Sequence, residues 1–177
     1  NGDGYSDTFT LGAPNSTFCP GKAVSALGGS CTVVNTSSWA SLYTPVAGDF
    51  DTDGKTDLIL LGAASAYFCS GNALSTSAPT CPAITNSAGW NAAYTPQAGD
   101  FNADGRLDLV LLGAPHSYMC TGPGIITGNN CTLMNSGNWK ALRTLVGDFD
   151  GDGASDLYFS NNTASYFCAG RGLALGT

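Results

Sequence analysis

The stretch GDFDTDGKTD, residues 48–57, decides the fold of this chain. With Asp49 counted as position 1, aspartates occupy positions 1, 3, 5 and 9, and Gly54 at position 6 permits a tight turn. The main-chain carbonyl of Lys55 lies at position 7. Calcium takes about six to eight oxygen ligands, and alternate aspartates on a turn can converge on one point. The stretch therefore predicts a calcium-binding loop.

The same pattern occurs four times. The position-9 residues Asp7, Asp57, Asp108 and Asp156 are 50, 51 and 48 residues apart, a spacing typical of a repeat architecture. Position 1 of the first copy would lie before residue 1. The predicted ligands are Asn1, Asp3, Tyr5 and Asp7; Asp49, Asp51, Asp53, Lys55 and Asp57; Asp100, Asn102, Asp104, Arg106 and Asp108; and Asp148, Asp150, Asp152, Ala154 and Asp156. Tyr5, Lys55, Arg106 and Ala154 would contribute main-chain carbonyls, and we expect about one Ca²⁺ per loop, up to four in all.

The segments after the loops predict strands and not helices. An EF-hand would have a bidentate glutamate at position 12, but that position is Leu60, Leu111 and Phe159 in the last three copies. The segments DLILLGA, DLVLLGA and DLYFSNN are apolar runs bounded by glycine or asparagine, which is typical of short buried strands. Each loop is therefore expected to join two strands.

A D-x-D-x-D-G-x-x-D loop between two strands resembles the calcium loop of FG-GAP or VCBS repeats, the integrin α-like β-propeller family. The resemblance implies an all-β propeller of about four four-stranded blades. We place the blades at about 1–35, 43–86, 94–135 and 142–177, with the opening strand missing from the first and the closing strand from the last. In the second blade the strands would end in GDF and then run through DLILLGA, AYFCSGNAL and TCPAITN. Helix is expected only as a turn near residues 39–42 or 139–142.

The negative charge of this chain lies in the four predicted loops. All thirteen aspartates lie in the four copies, and there is no glutamate. The formal charge is −7, and four bound calcium ions would add +8 and bring it to about +1. The six lysines and arginines are scattered, which argues against nucleic-acid binding.

Cysteines follow the repeat and indicate disulfides. Cys19 and Cys31, Cys69 and Cys81, and Cys120 and Cys131 are each separated by about a dozen residues, and each bridge would be worth about 3 kcal/mol. The paired C-x2-C spacings of zinc sites are absent. Cys168 lacks a downstream partner here, so we expect it to pair with a cysteine outside this sequence or with its own counterpart in another copy.

A disulfide-rich chain without an apolar run of about eighteen residues predicts a secreted segment with no membrane span. The sequons at Asn15, Asn35, Asn130 and Asn161 would allow N-glycosylation in a eukaryotic source, or occur by chance in a chain rich in Asn, Ser and Thr.

Repeated aromatic residues have two interpretations. Trp39, Trp90 and Trp139 each precede by four residues Tyr43, Tyr94 and Arg143. Trp39, Trp90, Trp139, Tyr43 and Tyr94 would bind a sugar ring if exposed, or fill the space between sheets if buried.

His116 is the single histidine, and every carboxylate side chain belongs to a predicted metal loop. No triad or acid/base pair can be assembled from other residues, so we do not expect an enzyme.

Three functions are consistent with these patterns. The first is a secreted, calcium-stabilised recognition or adhesion module, and its family resemblance implies a lectin-like role with glycans or glycoproteins as partners. The second is a structural subunit of an extracellular fibre or assembly, in which incomplete terminal blades self-associate. The third is a non-catalytic propeller attached to a larger secreted enzyme.

Overall fold

A computed structural model of the chain describes residues 1–21, 30–35, 37–128, 130–135 and 137–174. The described residues form four antiparallel sheets of three or four strands, which confirms the predicted all-β class. The chain divides into two compact units, Asn1–Asn91 and Ala92–Thr177, and each contains two sheets. We call the sheets I and II in the N-terminal unit and III and IV in the C-terminal unit.

Each sheet is a run of consecutive strands. Sheet I contains β1 (Thr8–Thr10), β2 (Ser16–Cys19) and β3 (Thr32–Asn35). Sheet II contains β4 (Tyr43–Gly48), β5 (Asp57–Gly62) and β6 (Ala66–Cys69). Sheet III contains β7 (Thr95–Gly99), β8 (Asp108–Leu112), β9 (Ser117–Cys120) and β10 (Cys131–Asn135). Sheet IV contains β11 (Arg143–Gly147), β12 (Asp156–Ser160) and β13 (Ser165–Cys168).

The aspartate loops connect paired strands, as predicted. In sheets II, III and IV, the glycine before the loop lies opposite the position-9 aspartate after it: the pairs are Gly48 with Asp57, Gly99 with Asp108, and Gly147 with Asp156. Sheet I begins instead with β1, the strand that follows its loop, so its opening strand is absent from the described structure. Each complete loop is therefore held at both ends by a strand ladder.

The fourth strand of sheet II is shorter than predicted. The segment TCPAITN was expected to form a strand, but only an isolated bridge between Tyr67 and Ala83 is present. The N–H of Phe68 donates to the Pro82 carbonyl at 2.9 Å, and the N–H of Ile84 donates to the Ala66 carbonyl at 2.8 Å. Pro82 has no N–H to donate, so it interrupts the ladder.

Short helices occupy several connections. They are α1 (Trp39–Leu42), α2 (Gly71–Leu74), α3 (Trp90–Ala93), a 3₁₀ turn (Gly124–Thr127) and α4 (Gly170–Ala174). The strand predicted over AYFCSGNAL is wrong beyond Cys69. Ser70 accepts the N–H of Ala73 on its Oγ at 3.3 Å and starts α2 as an N-cap. In the part of the chain described here, no helix is both long and apolar enough to cross a membrane.

Each of three disulfides joins the last residue of a strand to a cysteine in the segment that follows: Cys19 to Cys31, Cys69 to Cys81 and Cys120 to Cys131. These are the predicted pairs. Cys168 ends β13 at the corresponding place in sheet IV, and its thiol is free among the described cysteines.

The core of the N-terminal unit lies between its two sheets. Its buried cluster contains Leu58, Leu60 and Cys69 of sheet II, and Phe9 of sheet I packs against it. The side chains of Leu58 and Leu60 share one face of β5 because they are two residues apart.

The core of the C-terminal unit repeats this arrangement. Val110 and Met119 of sheet III cluster with Leu157 and Phe159 of sheet IV. Phe101, at position 2 of the third loop, belongs to the same cluster and is fully buried. In each unit, apolar side chains on one face of the first sheet thus pack against the second sheet.

Sheet IV has an exposed apolar face. Leu145, Tyr158 and Phe167 lie opposite one another across β11, β12 and β13, and they are 62%, 38% and 49% exposed. Their counterparts Val110 and Met119 in sheet III are buried. Phe149, with its ring centroid 6.4 Å from that of Tyr158, extends this face.

Candidate metal centres

The second and fourth loops bring three carboxylates together. Asp49, Asp51 and Asp53 each offer an oxygen, and these oxygens lie within 4.8 Å of one another. Asp148, Asp150 and Asp152 do the same. Because like charges at this separation repel, each cluster is suited to a cation with hard oxygen ligands.

Backbone N–H groups shape the second loop. The N–H of Asp53 donates to Asp49 Oδ1 at 3.2 Å and to Asp51 Oδ1 at 3.1 Å, and the N–H of Gly54 donates to Asp49 Oδ2 at 3.0 Å. The N–H of Lys55 donates to Asp53 Oδ1 at 2.9 Å. The backbone of the loop therefore bends around its own carboxylates, and these hydrogen bonds orient the carboxylate oxygens before any ion binds.

The third loop keeps the same geometry with an amide in place of a carboxylate. The N–H of Asp104 donates to Asn102 Oδ1 at 2.9 Å and to Asp100 Oδ1 at 3.0 Å. The N–H of Arg106 donates to Asp104 Oδ1 at 2.9 Å. Asn102 supplies a neutral oxygen, so this loop carries one negative charge fewer at its centre.

The first and fourth loops follow the same plan. The N–H of Asp3 donates to Asn1 Oδ1 at 3.1 Å, and the N–H of Tyr5 donates to Asp3 Oδ1 at 3.0 Å. In the fourth loop, Ala154 donates its N–H to Asp152 Oδ1 at 2.8 Å, and the Arg171 Nε lies 3.1 Å from Asp152 Oδ2.

Positive backbone φ angles recur at two positions of every loop. Position 6 is always glycine, and position 4 is Gly2, Thr52, Ala103 or Gly151, with φ of 78°, 64°, 59° and 81°. Sequence reasoning identified position 6 but missed position 4. The signal was present, because two of the four copies have glycine there.

The position-9 aspartates fasten the loop to the sheet. Asp57 is buried, and it accepts the N–H of Gly71 at 2.8 Å on Oδ1 and the N–H of Phe50 at 2.9 Å on Oδ2. Asp108 and Asp156 make the equivalent bonds. Each of these aspartates lies outside the two three-carboxylate clusters, and their assignment as metal ligands stays a prediction.

Burial affects the acidity of these groups. Desolvation raises the pKa of Asp57, and it raises the pKa of Asp108 to about 6, although both carboxylates accept backbone N–H bonds. At Asp7 partial burial also acts to raise the pKa, but the terminal amino group of Asn1 and the Gly21 N–H hold it below the ordinary value.

The structure separates the repeated aromatic residues into two classes. Trp39 and Trp90 are 8% and 7% exposed, which fits the packing interpretation. Trp139 is only partly buried, and its ring centroid lies 4.8 Å from that of Phe159. Tyr43 and Tyr94 are half-buried and contact Tyr67 and Tyr118 edge to face.

The remaining predicted positions lie at the surface or away from the loops. The sequon residues Asn15, Asn130 and Asn161 are exposed, and Asn35 is half-buried. His116 contacts the Tyr118 ring, with centroids 6.5 Å apart.

Comparison with solved structures shows the fold. The chain aligns with a TM-score of 0.75 to a structure described as the structural basis of specific recognition of non-reducing terminal N-acetylglucosamine by an Agrocybe aegerita lectin. Sequence identity is 16%, and the alignment covers 94% of this chain and 46% of that one, so this chain spans about half of the length of the lectin. No curated protein matches the chain.

A family comparison agrees with the interpretation of the loops. Residues 49–111, which contain the second and third loops, β5 to β7 and all but the last residue of β8, match the family described as FG-GAP-like repeat. Residues 49–111 of this chain are therefore similar to an FG-GAP-like repeat, the family that its aspartate loops indicate.

Proposed function

We propose that this chain is a glycan-binding, non-catalytic segment of a secreted β-propeller whose blades are stabilised by calcium. The observation that carries this proposal is the fold likeness over 94% of the chain to a lectin that recognises terminal N-acetylglucosamine. Sugar-binding residues do not transfer at 16% identity, so the likeness assigns no site residue in this chain.

A cleft of about 340 Å³ in the C-terminal unit has the chemistry of a sugar site. Its walls include the rings of Trp139 and Tyr166 and the side chains of Asn138 and Asn161. Aromatic faces pack against the C–H groups of a sugar ring, and amides bond its hydroxyl groups. The size is within the range of small-ligand pockets, roughly 300–1,000 Å³.

The two aromatic walls of the cleft are positioned by contacts with buried residues. Phe159 is 1% exposed and supports the Trp139 ring, and Tyr166 lies opposite Phe159 in the β12–β13 ladder. Tyr166 is 52% exposed, so its ring is accessible to a ligand. Trp139 is the repeated tryptophan best placed to contact a sugar, because Trp39 and Trp90 are buried.

The test is calorimetric titration with an oligosaccharide that ends in non-reducing N-acetylglucosamine. We expect saturable binding, and we expect Tyr166→Ala to weaken it about fivefold or more, since stacking contacts are worth about 1 kcal/mol. Tyr158→Ala is the matched control, because Tyr158 lies on the opposite face of β12. Equal loss in both variants, or no binding by the parent chain, would reject the cleft as the site.

Calcium is the metal that fits the loops best. The predicted ligands are carboxylate, amide and carbonyl oxygens, the set that calcium prefers, and the described clusters contain neither imidazole nor thiolate. When bound, the ion would neutralise the repulsion among Asp49, Asp51 and Asp53. Its proposed role is to brace the turn between two strands.

Secretion is supported by the disulfides. Three bridges in a chain of this size are typical of proteins that mature in an oxidising compartment. If these six cysteines were found mostly as free thiols in native material isolated under thiol-blocking conditions, the proposed secretion would be rejected.

A second candidate function is assembly through sheet IV. Leu145, Phe149, Tyr158 and Phe167 form an exposed apolar face at positions whose counterparts in sheet III are largely buried. Two copies can cover this face by placing it against itself in an isologous dimer. Light scattering after size exclusion should show a dimer that Leu145→Ser dissociates, whereas a monomer at high concentration would reject this candidate.

A further inference from the structure

The side chain of Arg171 lies against the fourth loop. Its Nε is 3.1 Å from Asp152 Oδ2, and its Nη2 donates to the Asp152 main-chain carbonyl at 3.0 Å. Asp152 is at position 5 of the loop and belongs to the cluster with Asp148 and Asp150. Because a guanidinium stays charged in proteins, a fixed positive charge lies beside the three carboxylates of this cluster.

The backbone places Arg171 at this point. Gly170 is the first residue of α4, and its N–H donates to Asp156 Oδ1 at 2.9 Å. A larger residue would not fit there, because a Cβ atom at Gly170 would overlap the Ser155 carbonyl oxygen. The close packing of Gly170 against the loop therefore holds the next residue, Arg171, beside position 5.

The second loop has the same arrangement with a neutral donor. Gly71 donates its N–H to Asp57 Oδ1 at 2.8 Å. The next residue, Asn72, donates its side-chain amide to Asp53 Oδ2 at 2.9 Å. Lys55 Nζ is farther from the same oxygen, at 3.7 Å, and it donates to Asn72 Oδ1 at 2.6 Å. The direct bond to position 5 therefore comes from an amide in the second loop and from a cation in the fourth.

The third loop has a different residue at this place. Pro123 follows Gly122 there, and proline has no group that donates a hydrogen bond. Asp104 Oδ2 is instead 3.3 Å from the amide nitrogen of Asn102, within the same loop. Among these three described loops, a side chain from the following helix thus contacts position 5 in the two that contain three clustered carboxylates.

We propose that Arg171 sets the calcium affinity of the fourth loop: its guanidinium stabilises the metal-free loop and weakens calcium binding. This inference rests on the proposed binding of calcium and gives a role to a residue outside the predicted ligands. A divalent cation at the cluster would be repelled by the fixed charge of Arg171. In the metal-free loop the same charge reduces the repulsion among the carboxylates, so both effects lower the affinity.

The test is a calcium titration of the isotope-labelled chain followed by NMR spectroscopy, which measures each loop separately. The Gly153 N–H donates to Asp148 Oδ2 at 3.1 Å, and the Gly54 N–H donates to Asp49 Oδ2 at 3.0 Å. Because each acceptor is a predicted ligand, each amide signal should shift when its own loop binds calcium. The two signals then give one Kd for the fourth loop and one for the second loop in the same sample.

The main variant is Arg171→Asn, which gives the fourth loop the residue that the second loop has at this place. It keeps an amide donor and removes the charge. We expect the Kd measured at Gly153 to fall roughly threefold to tenfold at low salt, while the Kd at Gly54 stays the same. Arg171→Lys keeps the charge and should leave the Kd at Gly153 within about twofold of the parent value.

The outcomes separate this proposal from the assignment of calcium. Equal Kd values at Gly153 in the parent chain and in Arg171→Asn would overturn the role of Arg171 and leave calcium binding intact. Amide signals of Gly153 and Gly54 that do not respond to calcium in the parent chain would reject the calcium assignment, and the proposal with it.

Arg143→Asn is the control for net charge. Arg143 is exposed and pairs with Ser160 at the end of β11 farthest from the fourth loop. Its replacement removes one positive charge from the chain and should leave the Kd at Gly153 unchanged. An equal fall in Arg143→Asn and Arg171→Asn would show that net charge, and not the contact with Asp152, sets the affinity, which would overturn the proposal.

The reciprocal variant Asn72→Arg transfers the contact to the second loop. The Kd at Gly54 should rise roughly threefold to tenfold at low salt, and the Kd at Gly153 should stay the same. An unchanged Kd at Gly54 in the folded variant would overturn the proposal.

Salt tests whether the effect is electrostatic. Raising the salt from about 0.01 M to about 1 M shortens the screening length from about 30 Å to about 3 Å. The difference in Kd between the parent chain and Arg171→Asn should therefore shrink. A difference of the same size at both salt concentrations would contradict a charge effect and overturn the proposal.

Discussion

Asp57 accepts the backbone N–H of Phe50 at 2.9 Å across the loop that separates them, and both side chains are fully buried. The same carboxylate accepts the N–H groups of Gly71 and Asp51. One side chain therefore ties together the start of the loop, the strand after it and helix α2.

Replacement of this aspartate should be costly even without metal. We expect Asp57→Asn to lower the free energy of unfolding by about 2–4 kcal/mol in a chelator, because an amide has one oxygen where three N–H groups need acceptors. Urea unfolding followed by circular dichroism measures the change. Asp51→Asn is the control and should have little effect in the chelator, since Asn102 accepts the same N–H in the third loop. Similar losses in the two variants would contradict the fastening role of Asp57.

The positive φ of Thr52 is a source of strain. Thr52→Gly should stabilise the fold by about 0.5–1 kcal/mol, because a β-branched residue is disfavoured at a φ of 64°. The reciprocal change Gly151→Thr, at a φ of 81°, should destabilise by about 1–2 kcal/mol. Thermal unfolding of both variants measures the pair, and a loss of stability in Thr52→Gly would show that the threonine is not strained.

Calcium removal should loosen the loops. We expect a chelator to lower the Tm, since three carboxylates within 4.8 Å repel one another without a cation. Asp53→Ala should reduce the difference in Tm between calcium and chelator, because one predicted calcium loop loses a carboxylate, whereas Lys55→Ala should preserve the difference because position 7 contributes its carbonyl. A Tm that is the same with and without the chelator at neutral pH would reject the metal assignment.

Cys168 should react slowly in the folded protein. Burial raises the pKa of its thiol, so a smaller fraction is thiolate at any given pH below that value. The rate of alkylation at pH 8 should be several-fold lower in native protein than in guanidinium, and it should continue to rise at higher pH. Mass spectrometry of timed samples follows the reaction, and equal rates in the two states would show an unperturbed thiol.

The loops and hairpins could be predicted because their determinants are local. The spacing of Asp49, Asp51, Asp53 and Gly54 specifies the turn, and the apolar run that begins at Leu58 specifies the strand after it. The disulfides follow from the same repeat, because corresponding cysteines recur at one end of each sheet.

Features that depend on packing could not be predicted in this way. The sequence gives Trp39 and Trp139 equivalent positions, but only the structure shows that one is buried and the other borders a cleft. Helix α2 was missed because a four-residue helix carries too little periodicity, and its signal is the single cap at Ser70.

The placement of the disulfides has a mechanical consequence. Each bridge joins cysteines 11 or 12 residues apart within one sheet. When the chain is pulled from its ends, the enclosed segments cannot extend, so each bridge shortens the unravelled length of its sheet by about 40 Å. Reducing agents should therefore lengthen the force-extension steps of sheets I, II and III, while sheet IV, with its free Cys168, should extend by the same amount in either redox state.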